Sequence, residues 1–272
     1  MSKTRTLILF AASIAALAAA PSRAANVLFP KSLHLVRQID DPLSQKTTTV
    51  DQYCAGNRIV TVSGPRVAIV DYDQQQVTEI DHAAGTYSIT RFDELAKALG
   101  SANHIADKST RTKWTEKPLG TKSSAGGRSV ESFEMTREGA KRRVEIGVDR
   151  QIALSKEAVE ALVGAAYPNT RNDDHEAVLA AAAPHGRAKT TSNATGAATA
   201  APYGLPAEQV ITYDAEGLTV TMKSSIVRVD GDAAPADALL IAPGTKRVVA
   251  SVVRAAAELD ALDHPGTATK KQ

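Results

Sequence analysis

Four short runs of β-branched and aromatic residues between positions 58 and 92 constrain the fold of this chain more than any other feature. The runs occupy residues 58–63, 66–72, 76–82 and 86–92, and they are separated by Gly64-Pro65, Asp73-Gln74-Gln75 and Ala83-Ala84-Gly85. Runs of this length between turn residues are typical of consecutive antiparallel strands joined by tight hairpins. The sequence therefore predicts a β-meander at the centre of the fold.

One face of this meander is thinly apolar. Successive side chains of a strand point to opposite faces of the sheet. The pairs that share a face are Val60 with Val62, Val67 with Ile69, and Tyr87 with Ile89. Threonine, serine and charged residues fill much of the opposite face. This pattern predicts a sheet with one covered side and one side in contact with water.

A helix that could cover the sheet follows the meander directly. Phe92, Leu95, Ala96 and Leu99 recur at helical spacing, and Gly100 marks the expected end. The helix is either a mobile lid over a ligand or a fixed part of the core. In both cases its apolar side is expected to face the same hollow as the inward residues of the strands, which we assign as Val60, Val62, Val67, Ile69 and Ile89.

The rest of the chain adds strands and helices around this centre. Strands are predicted at residues 32–39, 47–54, 111–116, 128–135, 141–148, 208–213 and 218–229. Helices are predicted at residues 155–166, 175–183 and 248–262. Nine or ten antiparallel strands with three or four helices predict an α+β protein, in which one sheet curls around helices.

The N-terminus has the pattern of a secretory signal peptide. Lys3 and Arg5 precede an apolar run at 7–20, and Ser22-Arg23-Ala24 offers small residues for cleavage. No later stretch approaches the roughly 20 apolar residues that a membrane span needs. We therefore expect residues 1–24 to be removed and the product to be exported to the bacterial periplasm as a soluble protein. Without this segment 29 of the 32 basic residues remain against 30 acidic ones, and no nucleic-acid partner is expected.

The mature chain is expected to form one interrupted domain. Residues 25–168 form its first part and residues 204–247 supply its closing strands. Between them, residues 169–203 are expected to be a flexible insertion, because 186–201 consist almost wholly of Ala, Thr, Ser and Gly. Residues 248–272 form a C-terminal amphipathic helix and a tail.

The sequence contains no catalytic or metal-binding constellation, and no cofactor is expected. Asp81 and His82 are neighbours, but on a strand they point to opposite faces, and Asp71 and Asp73 stand where aspartates close turns. The single cysteine, Cys54, has no basic residue within three positions to activate it, so a buried thiol is the safer interpretation. An enzyme is thus the least favoured class.

Two aromatic residues leave two interpretations open. Trp114 and Tyr87 either belong to the core, as most aromatic residues of β-proteins do, or line an apolar cleft between the sheet and its helices.

Several motifs together resemble uncharacterised secreted bacterial proteins related to the LolA-like lipoprotein-carrier superfamily. The motifs lie at residues 53–58, 67–73, 77–87, 204–206 and 239–246, and the resemblance covers somewhat more than half of the chain. The chain departs from the family pattern in the insertion at 169–201 and in the helix after Val248. It also has Ile146-Gly147-Val148 where the family usually has a strand ending in Trp.

This resemblance implies an incomplete β-barrel, a strongly curved antiparallel sheet with helices plugging its concave side. It also implies a non-catalytic carrier for a lipid or a lipoprotein acyl chain, and it brings no catalytic residues. The alternative is an envelope module that uses the same half-barrel to bind another protein, for example by strand addition at an open edge. The candidate cavity residues are Val60, Val62, Val67, Ile69, Tyr87, Ile89, Phe92, Leu95, Leu99 and Trp114.

Limited proteolysis tests the predicted insertion. Residues 186–201 offer too little apolar surface to offset an ordering entropy of roughly 1–2 kcal/mol per residue. We expect protease to cut there first and to leave the two flanking parts associated on a sizing column. Full protection of this segment would mean that it is an ordered element.

Overall fold

The computed structural model describes residues 27–42, 45–103, 114–137, 142–166, 172–184, 202–215, 218–250 and 253–254. They form one open sheet of 12 strands with three helices, so the predicted α+β class is confirmed. The predicted signal segment and the predicted insertion at 186–201 lie outside these residues. Among the described residues no helix has the length and apolar content needed to cross a bilayer.

Along the chain, one helix separates two groups of strands, and two further helices interrupt the second group. The strands are β1 (Phe29–Asp41), β2 (Lys46–Gly56), β3 (Arg58–Ser63), β4 (Arg66–Asp71), β5 (Gln76–Asp81), β6 (Thr86–Arg91), β7 (Thr115–Ser123), β8 (Ser129–Thr136), β9 (Arg142–Leu154), β10 (Tyr203–Ala215), β11 (Leu218–Asp230) and β12 (Lys246–Arg247). The helices are α1 (Phe92–Asn103), α2 (Lys156–Ala166) and α3 (Asn172–Ala182).

The sheet consists of two antiparallel meanders joined side by side. Its strand order is β12-β6-β5-β4-β3-β2-β1-β11-β10-β9-β8-β7. Strands β1 to β6 form the first meander and β7 to β11 the second, and the pairing of β1 with β11 joins them. The short β12 then runs parallel to β6 at one edge.

The hairpin turns of the first meander form as the sequence predicts. The carboxylate of Asp71 accepts a hydrogen bond from the backbone N–H of Gln74 at 2.9 Å, and Asp81 accepts one from Ala84 at 2.9 Å. Gly64 and Gly85 have φ values of 55° and 62°, in the left-handed region that glycine tolerates best. These contacts confirm the structural role assigned to the aspartates at hairpin ends.

Several predicted boundaries were wrong. The edge strand β7 includes the Pro118-Leu119-Gly120 segment, which the sequence indicated as a turn. An edge strand tolerates Pro118, because the missing N–H can lie on the side that has no partner strand, and a bulge between Pro118 and Gly120 accommodates the glycine. Helix α1 continues past Gly100. Residues 248–250 are not helical, although 253–254 are, and the rest of the predicted C-terminal helix lies outside the described residues.

The main core lies on one face of the sheet, which we call the helix face. Ile59, Val70 and Val77 stand side by side on it and pack in one cluster with all three helices. Ser155 caps α2 as predicted, since its Oγ accepts a hydrogen bond from the backbone N–H of Ala158 at 3.0 Å. The helix residues of this cluster are Phe92, Leu95, Ala158, Val159, Ala161, Leu162, Val163, Ala177, Val178, Ala181 and Ala182.

The opposite face of the first meander is also covered, whereas the sequence predicted one covered side and one side in contact with water. Val60, Val67 and Ile80 form a second cluster there with Tyr53, Val62, Ile69 and Tyr87. The cover is a segment near the C-terminus, of which Ala234, Ala238 and Leu239 pack on this cluster. We call residues 234–250 the strap and this side of the sheet the strap face.

The expectation that α1 and Val60, Val62, Val67 and Ile69 face one hollow was therefore wrong. Phe92 and Leu95 pack on the helix face, whereas those four residues lie on the strap face. Both faces carry alternating apolar residues, so alternation alone does not reveal which set the helix covers. The covering strap comes from the far end of the chain, where periodicity gives no sign of it.

The strap passes from one face of the sheet to the other around the edge of β6. Its backbone pairs with β6 through two hydrogen bonds, from Lys246 N–H to Gly85 C=O at 2.9 Å and from Val248 N–H to Tyr87 C=O at 2.8 Å. Beyond the edge, Ala250 is buried in the core of the helix face, and Val253 packs against it.

Replacement of Leu95 by Asp tests whether α1 is core or lid. Leu95 is 1% exposed, so a carboxylate there would be buried among apolar groups. We expect the free energy of unfolding to fall by about 3–5 kcal/mol in urea denaturation. The volume-conserving Leu95→Met should cost less than ~1.5 kcal/mol. An unchanged urea midpoint for Leu95→Asp would show that α1 leaves the sheet at little cost.

Candidate functional site

A cleft lies where the strap crosses the edge of the sheet. Its volume is about 360 Å³, and it opens between the ends of β4, β5 and β6 and the last described residues of the chain. Its walls are mixed in character. The apolar lining residues are Val67, Ile80, Ala84, Tyr87, Val248, Val249 and Ala250, and the polar ones are Arg66, Glu79, Asp81, Thr86, Ser88 and Arg254.

Glu79 is the electrostatically unusual group of this cleft. It lies directly across the strand pair from Ser88, whose hydroxyl donates a hydrogen bond to Glu79 Oε2 at 3.0 Å. Burial raises the pKa of Glu79 above its ordinary value, although the hydrogen bond from Ser88 and the charge of Arg66 oppose the shift. A carboxyl group with a raised pKa in a cleft is a candidate for ligand contact.

Arg66 and Asp81 form the polar rim beside Glu79. Arg66 Nε lies 3.3 Å from Asp81 Oδ2, and both side chains are partly exposed. These two residues also face each other across the pairing of β4 with β5. The ion pair therefore fixes the mouth of the cleft without contributing much to stability, as partly exposed pairs generally do.

A polar row leads from the cleft into the interior of the helix face. Gln52, Thr61, Ala68, Glu79 and Ser88 stand directly opposite one another on five successive strands. Gln52 is fully buried, and both polar atoms of its amide lack hydrogen-bond partners. Because buried amides are nearly always hydrogen-bonded, this end of the row can take a further polar partner.

A second polar cluster lies where the two meanders join. The ring of His34 is 2% exposed, and its Nδ1 lies 2.8 Å from Asp230 while its Nε2 lies 2.9 Å from Asp51. The ring also stacks on Tyr53, with 4.2 Å between the ring centroids. Each ring nitrogen lies within hydrogen-bond distance of a carboxylate, so His34 ties β1 to its neighbours on both sides.

This cluster has the residue types of a metal site, but its geometry favours a structural role. His34, Asp230 and Asp232 place ligand atoms within 4.8 Å of one another. However, each ring nitrogen already has a carboxylate partner, and Nη2 of Arg228 lies 3.4 Å from Nδ1. A guanidinium at that distance repels a cation. The pKa of Asp230 is lowered, mainly by a hydrogen bond from the backbone of Asp232 and to a smaller extent by the hydrogen bond with His34.

The structure confirms the burial predicted for Cys54. The thiol is 1% exposed in the core of the helix face, and burial raises its pKa to about 12. Burial likewise raises the pKa of the neighbouring Tyr72. A thiol with so high a pKa does not act as a nucleophile at neutral pH.

The predicted cavity residues fall into separate places. Val67 and Tyr87 line the cleft, and Val60, Val62 and Ile69 pack nearby on the strap face. Phe92, Leu95 and Trp114 pack in or against the core of the helix face. Ile89 is half-buried on β6, and the side chain of Leu99 lies outside what the structure describes.

Sequence reasoning missed Glu79 and the strap as parts of the site. A signal for Glu79 was present, because Val77 and Glu79 are two positions apart and share a face, which places a carboxylate on an apolar side. For the strap there was no comparable signal. The strap contacts β6 only in the folded chain, since Lys246 lies 160 positions after Thr86, the β6 residue with which it pairs.

Comparisons with known proteins add little to this description. No family model matches the chain, and no curated protein matches it. The structure of PNGF-II aligns with 83% of this chain and 32% of its own, at 10% identity and a TM-score of 0.36. An uncharacterized conserved protein from Thermus thermophilus aligns with 82% of this chain and 92% of its own, at 7% identity and a TM-score of 0.40. The chain thus spans about a third of the PNGF-II chain, and neither likeness supports an inference.

The raised pKa of Glu79 predicts a pH-dependent stability. The folded protein holds this proton more tightly than the unfolded chain, whose Glu has the ordinary pKa of 4.5. The stabilisation from this group is therefore complete below pH 4.5 and is lost as the pH rises through the folded-state pKa. We expect Glu79→Gln to melt at a higher temperature than the wild type at pH 7 and at nearly the same temperature at pH 4.

The exposed Glu176 of α3 provides the matched control for this measurement. Glu176→Gln removes the same charge from a solvated position and should leave the melting temperature close to that of the wild type at both pH values. If Glu79→Gln is less stable than the wild type at pH 7, the folded protein stabilises the charged carboxylate of Glu79, and the prediction is wrong.

Proposed function

We propose that this protein is a non-catalytic, exported binding protein and that its ligand is a small apolar or amphiphilic molecule held in the cleft under the strap. The observation that carries this proposal is the cleft itself, in which apolar walls meet a few convergent polar groups, one of them with a raised pKa. Export to the periplasm is part of the proposal and rests on the N-terminal pattern of residues 1–24.

The size of the cleft limits the ligand. A volume of about 360 Å³ lies near the lower end of the roughly 300–1,000 Å³ typical of ligand pockets. A single acyl chain or a similarly small amphiphile suits this volume, in line with the acyl ligands that the LolA-like resemblance implies. The polar end of such a ligand would lie near Glu79 and Ser88, and its apolar part along Val248 and Ala250.

The proposal includes a curved sheet whose concave side holds the helices. Helix α2 lies close to both β3 and β10, which are four strand positions apart in the sheet. On a flat sheet these two strands would be about 19 Å apart, so contact with one short helix favours a sheet that bends around it. The continuous core that joins residues of β5, β8 and all three helices supports the same arrangement.

The alternative function, an envelope module that binds a protein partner by strand addition, has less support from the accessible edge. Pro118 of β7 has no N–H to offer a partner strand, and a bulge lies between Pro118 and Gly120. Lys117 and Lys122 place charges along the same strand. Proline, bulges and lysine are the features by which proteins prevent pairing at an edge.

Filling the cleft should weaken ligand binding without unfolding the protein. Thr86 lines the cleft and is half-buried, so Thr86→Trp places an indole in the ligand volume. We expect binding of a fluorescent medium-chain fatty acid to weaken about tenfold or more, equivalent to ~1.4 kcal/mol. Fluorescence titration measures the affinity, and thermal unfolding checks that the fold is retained.

Thr49→Trp is the matched control, since Thr49 is exposed on β2 and is not part of the cleft. It should bind the fatty acid as the wild type does. Equal affinities for the two variants would place the ligand elsewhere, and a wild-type protein that binds no acyl probe would overturn the proposed ligand class.

A further inference from the structure

Exposed apolar side chains are concentrated on the strap. Six large hydrophobic side chains are exposed among the described residues, and four of them lie between positions 240 and 249. Leu240 and Val249 are the most exposed of the six, at 63% and 61%. Scattered exposed hydrophobic residues are common, but a group within ten residues of one segment indicates a surface that meets an apolar partner.

A turn arranges these residues together with two basic side chains. The N–H of Thr245 donates to the carbonyl of Ala242 at 3.1 Å, and Gly244 adopts a φ of 88°. This turn reverses the chain, so that the apolar pair before it and the basic pair after it flank the same bend. We call this group the basic-apolar patch, and its members are Leu240, Ile241, Lys246, Arg247, Val248 and Val249.

The charge on this part of the chain has one sign. The described residues from 240 onward include Lys246, Arg247 and Arg254 and no acidic residue. Lys246 and Arg247 are exposed, and Arg254 stands at the cleft. Elsewhere in the protein acidic and basic residues nearly balance, so this concentration of positive charge is local to the described residues after Asp237.

We propose that the basic-apolar patch binds the surface of an anionic lipid bilayer and that the strap is the side of the protein that meets the membrane. Exposed apolar side chains enter the headgroup region while neighbouring Lys and Arg contact anionic headgroups, which is how peripheral proteins bind membranes. Val248 and Val249 belong both to the patch and to the cleft, so the cleft would open toward the bilayer.

A bilayer fits this patch better than a protein partner does. A stable protein–protein interface buries about 800 Å² on each partner around a tightly packed apolar centre, which is far more than four aliphatic side chains on one bend supply. The patch also lacks the aromatic residues that dominate interface energetics. A bilayer needs only shallow insertion and charge attraction, and the patch supplies both.

Co-sedimentation with lipid vesicles tests the proposal. The full chain is mixed with vesicles of phosphatidylcholine alone or of phosphatidylcholine with phosphatidylglycerol, and we expect binding to the second kind only, weakening as salt is raised. Lys246→Gln with Arg247→Gln should lower the partition coefficient about 25-fold, since each basic residue near an anionic surface is worth about a fivefold change. Serine at Leu240, Ile241, Val248 and Val249 should abolish binding.

The matched control lies at the other edge of the sheet, where Lys117 and Leu119 are also exposed. Lys117→Gln with Leu119→Ser should bind vesicles as the wild type does. The apolar run at residues 7–20 can itself bind vesicles. The comparison is therefore made only between variants that share the same N-terminus. Circular dichroism confirms that each variant is folded.

Three results would overturn the proposal. One is equal binding to neutral and anionic vesicles, and another is binding that survives the four serine substitutions. The third is self-association in sedimentation velocity that these substitutions remove, with no vesicle binding, because the patch would then be an interface between two copies of the chain.

Discussion

The pairing of β1 with β11 is the constraint on which the rest of the structure depends. It joins two meanders that are each local in sequence, and it brings His34 opposite Asp230, 196 positions later. Polar contacts hold this junction on both faces. The His34 ring binds Asp51 and Asp230 on one face, and Arg37 donates to Ser224 at 3.2 Å on the other. Because His34, Arg37 and Ser224 are buried, losing one of their partners would leave a buried polar group without compensation, which costs more than losing an exposed pair would.

The two faces of the sheet are covered by different means, and this difference places the cleft. Three helices cover one face with a continuous apolar core. On the other face the cover of the first meander is the strap, an irregular segment that contributes only small or partly buried side chains. Where the strap leaves one face for the other, neither cover is complete, and polar residues such as Glu79 and Ser88 lie at the gap. The proposed ligand site and the proposed membrane surface both follow from this incomplete cover.

Much of the fold could be predicted from the sequence because its information is local. The turns at Gly64 and Gly85, the aspartates that close them and the Ser155 cap each depend on residues a few positions apart. The sequence could not show that Val60 and Leu95 lie on opposite sides of the sheet, because both faces of the first meander carry apolar residues at alternating positions. The pairing of β1 with β11 and the position of the strap also depend on distant residues. The cleft was therefore missed except for Val67 and Tyr87, while Glu79 could have been found from its spacing to Val77.

The late position of the strap in the chain has a consequence for how the protein is made. A growing chain can complete strands β1 to β6 early, yet the edge of β6 remains without Lys246 and Val248 until some 150 further residues have been synthesised, roughly the separation set by the pairing of Thr86 with Lys246. An unpaired edge invites association with other chains, and contacts this distant in sequence form slowly. Truncation shortly before residue 246 would thus yield a protein with most of its core and an uncovered edge. The last strand, only two residues long, would then matter more for solubility than for stability.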